Sequence, residues 1–387
     1  MINKMIIGIV GSGAMGNGIA QVAATSGHQV IVYDNNAAAL EKAKAGTLMN
    51  LNKLQEKGKL ADAQAVFQQY RYTDELSGLK DCGLVIEAII ENLEIKKKVF
   101  AELESIVEDN CILASNTSSL SIASIAASVQ KSERVIGIHF FNPAPLMALV
   151  EIIPAIQTRE GLAGEIRDLM LQWKKAPVLT KDTPGFIVNR VARPFYGEAI
   201  KMMEEGLATK EDIDVALTSY GGFKMGPFTL TDYIGHDVNY VVTETVFQSF
   251  FYDPRYRPSF SQKRLLEAGW LGRKSGKGFY NYENEGPVLT SGLEENKQKE
   301  IVERILFLLI NEAVEALYLN IATAADLDLA MTKGVNYPKG LLAWCDELGA
   351  DYVLAGMDAL YNKYHDDRYR ASAMLRKYGT EKKKFFN

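Results

Sequence analysis

His139 in VIGIHFFNP and Glu151 in LVEII, twelve residues apart, are the pair of side chains in this sequence best suited to moving a proton. An imidazole with a pKa of about 6.5 can remove a hydroxyl proton while a hydride leaves the same carbon. A carboxylate beside it fixes the tautomer and stabilises the imidazolium. Spacing alone leaves Glu151 two readings, the partner of His139 or a surface charge on an edge strand, and a lone histidine is commonly structural. Two further polar clusters follow runs of strand type: LVIEAI leads into Glu91, and CILAS leads into Asn116, Thr117 and Ser118. Ligands of an open α/β sheet lie beyond the carboxyl ends of its strands, so all three ends are expected on one edge.

GIVGSGAMGNGIA places Gly11, Gly13 and Gly16 in G-x-G-x-x-G spacing between a strand and a helix-forming run, with Ala14 and Met15 at the helix start. The first glycine permits the turn, the second admits a pyrophosphate and the third lets helix pack on strand, while the helix N-terminus holds the anion. Alone the motif is weak. A second strand ending in Asp34, 18 residues beyond Gly16, adds an acceptor for the adenosine ribose, and NNAAAL after it offers no cation for an extra phosphate. NAD is therefore expected over NADP; Asp34 can also cap a helix.

The strand candidates IIGIV, VIVYD, LVIEA, CILAS, VIGIHF and LVEII alternate with helical patterns up to about Lys181, which predicts an α/β Rossmann domain with a mostly parallel sheet and helices on both faces, residues 1–182. Beyond Thr183-Pro184-Gly185 long apolar-periodic segments predict an all-α region. The length and the 47% hydrophobic, 24% charged composition suit a globular chain, and the net charge of −5 argues against a nucleic-acid partner. Cys82, Cys111 and Cys345 show no C-x-x-C spacing, so neither a disulfide framework nor a metal site is expected. MINKMIIGIVGSG lacks a signal h-region and no apolar run reaches the ~18 residues of a membrane span, so a cytoplasmic protein without a membrane partner is expected.

The helical region matches itself at an offset of 114. Arg190 falls on Arg304, Glu198-Ala199 on Glu312-Ala313, and LATKEDIDVAL (207–217) on IATAADLDLAM (321–331). Gly226, Asp232, Gly235 and Asp237 fall on Gly340, Asp346, Gly349 and Asp351, and after one residue is lost RYRPS (255–259) meets RYRAS (368–372). Two tandem repeats are expected, 183–283 and 297–387. They differ where chemistry is concerned. Asn189 becomes Glu303, and GRKSGKGFY (272–280) finds no counterpart before KKKFFN, so the second copy is expected to be structural.

The set GIVGSGAMG, ASNTSSLSI, GIHFFNPAPLMALVEI, KDTPGFIVNR and GRKSGKGFY resembles, in order and spacing, that of the L-3-hydroxyacyl-CoA dehydrogenases, of the 3-hydroxybutyryl-CoA type, and the resemblance covers essentially the whole chain. It implies reversible oxidation of (S)-3-hydroxyacyl-CoA to 3-ketoacyl-CoA with NAD, with His139 as base and Glu151 as its partner. It further implies that Ser118 and Asn189 hold the substrate oxygen, that Asn142 supports the histidine loop, and that Glu91, Lys96, Asn116, Asn142 and Lys274 lie near the cofactor. EKAKAGTLMNLNKLQEKGKL (41–60) falls where such enzymes extend a helical hairpin over the coenzyme A nucleotide, with Asn50 and Lys57 at contact positions; a solvated face is the plainer reading for most of its lysines. The hydratase unit of the large fatty-acid oxidation proteins is not expected. Short relatives dimerise through one helical domain, so two copies in one chain are expected either to mimic that dimer within a monomer or to form a homodimer. The competing readings are a dehydrogenase of a free hydroxy acid, such as carnitine or a sugar acid, and a binding protein that kept the fold without the chemistry.

Overall fold

The structure, a computed structural model, describes residues 5–283, 286–287 and 289–386. The chain divides into two compact units, Met1–Phe186 and Ile187–Asn387.

The first unit is an eight-stranded sheet in the order β3-β2-β1-β4-β5-β6-β7-β8. Its strands are β1 (Ile6–Val10), β2 (Gln29–Tyr33), β3 (Tyr70–Thr73), β4 (Leu84–Glu87), β5 (Ile112–Ser115), β6 (Val135–Phe140), β7 (Leu149–Pro154) and β8 (Ala176–Leu179). All neighbours are parallel except β6 and β7. The helices are α1 (Ala14–Thr25), α2 (Ala37–Glu56), α3 (Ala63–Phe67), α4 (Leu93–Glu104), α5 (Ile122–Ala126) and α6 (Leu162–Gln172). Side chains of α1 and α6 build the core on one face of the sheet, and those of α4 and α5 build it on the other. That double cover explains why β4, β5 and β6 are buried along their whole length and read as continuous apolar runs.

The sequence pattern omits β3 and β8, and these are the two edges of the sheet. YRYT is half-exposed and polar at every other residue, and APVL contains Pro177, which an edge strand tolerates because one side needs no ladder.

The second unit is helical: α7 (Val188–Val191), α8 (Arg193–Glu204), α9 (Lys210–Val215), α10 (Pro227–Ile234), α11 (His236–Ser249), α12 (Phe260–Glu267), α13 (Glu295–Tyr318), α14 (Ala324–Gly334), α15 (Leu341–Leu348), α16 (Ala350–Tyr364) and α17 (Ala373–Glu381). No helix among the described residues is long and apolar enough to cross a membrane.

Candidate active site

Because β1, β4, β5 and β6 are parallel, Gly11, the turn after Glu87, Asn116 and Phe140 all lie at one edge of the sheet. At the glycine loop, Gly11 has φ of 103°, and a Cβ there would lie 2.7 Å from the Ala88 carbonyl oxygen. A Cβ on Gly16 would lie 1.9 Å from the Gly11 carbonyl, so this glycine closes the loop on its own helix. Over Gly13 there is open space, as close approach of a pyrophosphate requires. Asp34 accepts from the Ser12 backbone N–H and hydroxyl, both at 2.8 Å, and from the Asn36 N–H at 3.0 Å. The helix cap is Asn36, whose side chain accepts from the Ala39 N–H.

Ser12, Gly13, Ala14 and Asp34 open into a cleft of about 860 Å³ that runs along α2 past Lys42, Asn50, Lys53 and Lys57 and is walled by Asn142, Pro143, Pro145 and Leu146. Asn50 and Lys57 line this cleft together with Lys42 and Lys53. The Met15 side chain turns away and packs on the core.

The wall 142–146 is held by Lys175, which the sequence does not single out. Its buried ammonium donates to the carbonyls of Ala144 at 2.5 Å and Met147 at 2.8 Å, and burial pushes it down to about 8. Asn142-Pro143 is a cis peptide.

His139 and Glu151 face each other in the antiparallel register of β6 and β7, and opposed residues of such a pair share one face of the sheet. His139 Nδ1 lies 2.7 Å from Glu151 Oε2, and both residues are buried. A carboxylate at Nδ1 makes that nitrogen the donor and leaves Nε2 as the base. The chain reversal between β6 and β7 is what twelve residues of spacing could not reveal; Glu151 is not a surface charge. The His139 ring is flanked by Phe141 and Phe186 at 4.5 and 5.9 Å. Asn116 accepts from the Phe140 N–H at 2.8 Å, tying the end of β5 to the residue after the base.

Glu91 gathers the serine cluster: its Oε1 accepts from the Thr117 hydroxyl (2.6 Å), the Ser118 N–H (3.0 Å) and the Ser118 hydroxyl (3.3 Å). Burial would raise its carboxyl, but the Lys96 ammonium and the Thr117 and Ser118 hydrogen bonds outweigh burial and hold it below the usual carboxylate range. Lys96 is itself buried. It donates to Glu87 at 2.6 Å and reaches Glu91 at 3.4 Å, so its visible partners are carboxylates that shape the loop. Glu87, the last residue of β4, also accepts from Ser115 at 2.7 Å. The missed signal for it was an acid ending an apolar strand.

Asn189 and Lys274 belong to the helical unit. Asn189 is half-buried in α7, and Lys274 is ion-paired with Asp237. No cluster of three or more His, Cys, Asp or Glu among the described residues could hold a metal ion.

Comparison with known proteins agrees with this geometry. Residues 6–183 match the family model for the 3-hydroxyacyl-CoA dehydrogenase NAD binding domain, and residues 185–282 and 301–384 match that for the 3-hydroxyacyl-CoA dehydrogenase C-terminal domain. The chain is 36% identical to a 3-hydroxyadipyl-CoA dehydrogenase of Escherichia coli over 97% of its own length and 98% of the relative's. It is 43% identical to a probable 3-hydroxybutyryl-CoA dehydrogenase of Deinococcus radiodurans, over 72% of this chain and 100% of the other. A crystal structure of 3-hydroxybutyryl-CoA dehydrogenase from Escherichia coli superimposes with a TM-score of 0.95 at 35% identity, covering 98% and 99% of the two chains.

Proposed function

The chain belongs to the 3-hydroxyacyl-CoA dehydrogenases, which oxidise 3-hydroxyacyl-CoA to 3-ketoacyl-CoA with NAD, and we propose the following roles for its residues. The cleft fits NAD: the space over Gly13 admits the pyrophosphate at the start of α1, and the Asp34 carboxylate offers lone pairs to the ribose. Held there, NAD would supply the acceptor for the C3 hydride. His139 Nε2 removes the proton of the C3 hydroxyl, and Glu151 balances the imidazolium that results. Ser118 and Asn189 donate to the substrate oxygen, while Glu91 and Lys96 hold the serine loop and Asn116 holds the end of β6. Lys42, Lys53, Lys57 and Asn50 receive the nucleotide end of coenzyme A, supplying local positive charge in a chain of net charge −5. Lys274, ion-paired with Asp237, is assigned to the cofactor.

The observation that carries this reading is the buried His139–Glu151 pair at 2.7 Å. Acetoacetyl-CoA mixed with NADH and the purified protein is expected to consume NADH, and absence of turnover on any 3-ketoacyl-CoA would overturn it. The relatives' names divide between 3-hydroxyadipyl and 3-hydroxybutyryl chains, an acyl group ending in a carboxylate and one ending in a methyl.

We also infer that the helical unit is a duplication whose copies, 183–283 and 297–387, pack on each other as two subunits would. The support is reciprocal. Arg190 pairs with Glu312 at 2.7 Å and Arg304, 114 residues on, pairs with Glu198 at 2.6 Å. The Tyr256 hydroxyl donates to Glu312 at 2.5 Å and that of Tyr369 to Glu198 at 2.8 Å. Asp214 accepts from the N–H groups of Phe228 and Thr229, and Asp328 does the same for Leu342 and Ala343. One expectation is corrected. Asp232 accepts from the N–H groups of Phe279 and Tyr280, and Asp346 accepts from those of Phe385 and Phe386, so the chain's last phenylalanines do answer the end of GRKSGKGFY. A cytoplasmic monomer is the expected form, in keeping with three buried free cysteines. Sedimentation showing an obligate dimer joined through the first copy would contradict it.

A further inference from the structure

Four arginines are buried among the described residues, and three of them meet a carboxylate: Arg134 with Glu104, Arg190 with Glu312 and Arg304 with Glu198. Arg193 does not. It opens α8, four residues after Asn189, and is 7% exposed. Its Nη1 donates to the Thr243 hydroxyl at 3.0 Å, its guanidinium carbon lies 5.1 Å from the centre of the Tyr196 ring, and its Nε has no hydrogen-bond partner. Tyr337, which interacts with it electrostatically, is also buried and its hydroxyl has no partner. Burial works against the charge of both Arg190 and Arg193. Glu312 more than offsets it at Arg190, whereas only the phenols of Tyr196 and Tyr337 oppose it at Arg193, which stays lowered.

A cation and a phenol held out of water with free donors form an incomplete anion site, because buried charges in proteins are paired. The scaffold does not require it. At the position 114 residues on stands Phe307, packed edge-on against Tyr352, and in place of Thr243 stands buried Met357. Arg193 and Thr243 therefore have no polar counterpart in the second half, which contributes Tyr337 to the cluster. From Asn189 in α7 to Arg193 at the start of α8 the backbone advances about 6 Å at helical rise, a span that a short acyl chain covers from a reacting oxygen at Asn189. The surroundings are aromatic, with Phe195 5.7 Å and Phe223 5.1 Å from the Tyr337 ring, which suits methylene groups ahead of the charge. A phosphate of coenzyme A is a poorer match, since the lysines of α2 already offer it a cleft.

We propose that Arg193, with Tyr337, binds a carboxylate at the far end of the acyl chain, so that the substrates of choice are 3-hydroxyacyl-CoA thioesters of dicarboxylic acids. This rests on the dehydrogenase reading above and names its substrate class. A site built around buried donors discriminates strongly against an analogue that leaves them unpaired.

The test compares kcat/KM for two six-carbon substrates in the NADH-consuming direction, one ending in a carboxylate (3-oxoadipyl-CoA) and one in a methyl (3-oxohexanoyl-CoA). The wild-type protein is expected to prefer the first by at least about tenfold, and Arg193→Met to lower that ratio by about 10- to 100-fold, the range for a hydrogen bond to a charged group. Arg193→Lys, which keeps the charge without the planar fork, is expected to fall between them. General structural damage lowers both substrates together and leaves the ratio intact. Equal efficiency of the wild-type protein on both substrates would overturn the assignment whether or not the variants fold, and so would an unchanged ratio in Arg193→Met. Turnover of neither while acetoacetyl-CoA is still reduced would overturn this inference alone, and loss of all three would overturn the dehydrogenase reading with it.

Discussion

The two halves of the helical unit share an exchange of buried charge and differ in the residues that exchange leaves over. Arg190 and Arg304 each reach across to a glutamate of the other half, at 2.7 and 2.6 Å, and each glutamate also accepts from a tyrosine hydroxyl, of Tyr256 or Tyr369. Yet Asn189 stands against Glu303, and Arg193 against Phe307, at positions 114 apart. Glu303 accepts from the Tyr352 hydroxyl at 2.8 Å near the surface, and Phe307 is ordinary core. On the proposed duplication, what both halves keep is read as what the packing needs, and Asn189 and Arg193, which only one half keeps, as the residues that meet a ligand.

The largest effect is expected where the halves agree. Arg190→Met and Arg304→Met each remove the nearer cation of a buried glutamate, leaving it Arg255 at 3.4 Å or Arg368 at 3.7 Å, and each is expected to destabilise the fold by about 3 kcal/mol, the low end for a broken buried ion pair, measured by urea denaturation. A loss confined to one of them would break the equivalence. Where the halves disagree, the readout moves from stability to activity. Asn189→Ala is expected to lower kcat on acetoacetyl-CoA by about 10²-fold, the cost of removing one donor to a reacting oxygen.

Lys175, outside the helical unit, calibrates these numbers, because Lys175→Met strands only the two carbonyls of the cleft wall, at about 1–3 kcal/mol. Its ammonium is pushed down to about 8 from 10.5, so between those pH values the unfolded chain binds the extra proton and the residue's contribution to stability rises with pH. Below pH 8 both states are protonated and the contribution is flat. The gap in Tm between wild-type and Lys175→Met is therefore expected to be wider at pH 9.5 than at pH 7, and a gap that narrows would contradict it. The smallest effect belongs to Glu303→Ala, expected to leave kcat within about twofold because surface substitutions seldom matter. A large loss would give the second half a part in catalysis.

Legibility from sequence followed local periodicity. The inner strands β1, β2, β4, β5, β6 and β7 were visible because burial makes them apolar runs, and the glycine loop because its backbone geometry admits few residues. The edges β3 and β8 were not, since one unpaired side relaxes the composition that marks a strand. His139 and Glu151 could be nominated one at a time, but their meeting depends on the reversal of chain direction at β7, a property of the sheet. Lys96 and Arg193 carry no local mark of burial. A charged residue at helical spacing looks like a solvated face until its neighbours in space, Glu87 in one case and an anion-free ring of aromatics in the other, are known. Lys175 was missed for the same reason, whereas Glu87 did carry a mark, an acid at the end of an apolar strand.

The central claim is that the buried His139–Glu151 pair drives NAD-linked oxidation at C3, and the direct measurement is NADH consumption with acetoacetyl-CoA by the wild-type protein and by His139→Gln. Steady turnover by the first and a kcat lower by about 10² to 10⁴ in the second is the expected result, the range for loss of a general base. Equal rates from a folded His139→Gln variant would contradict it.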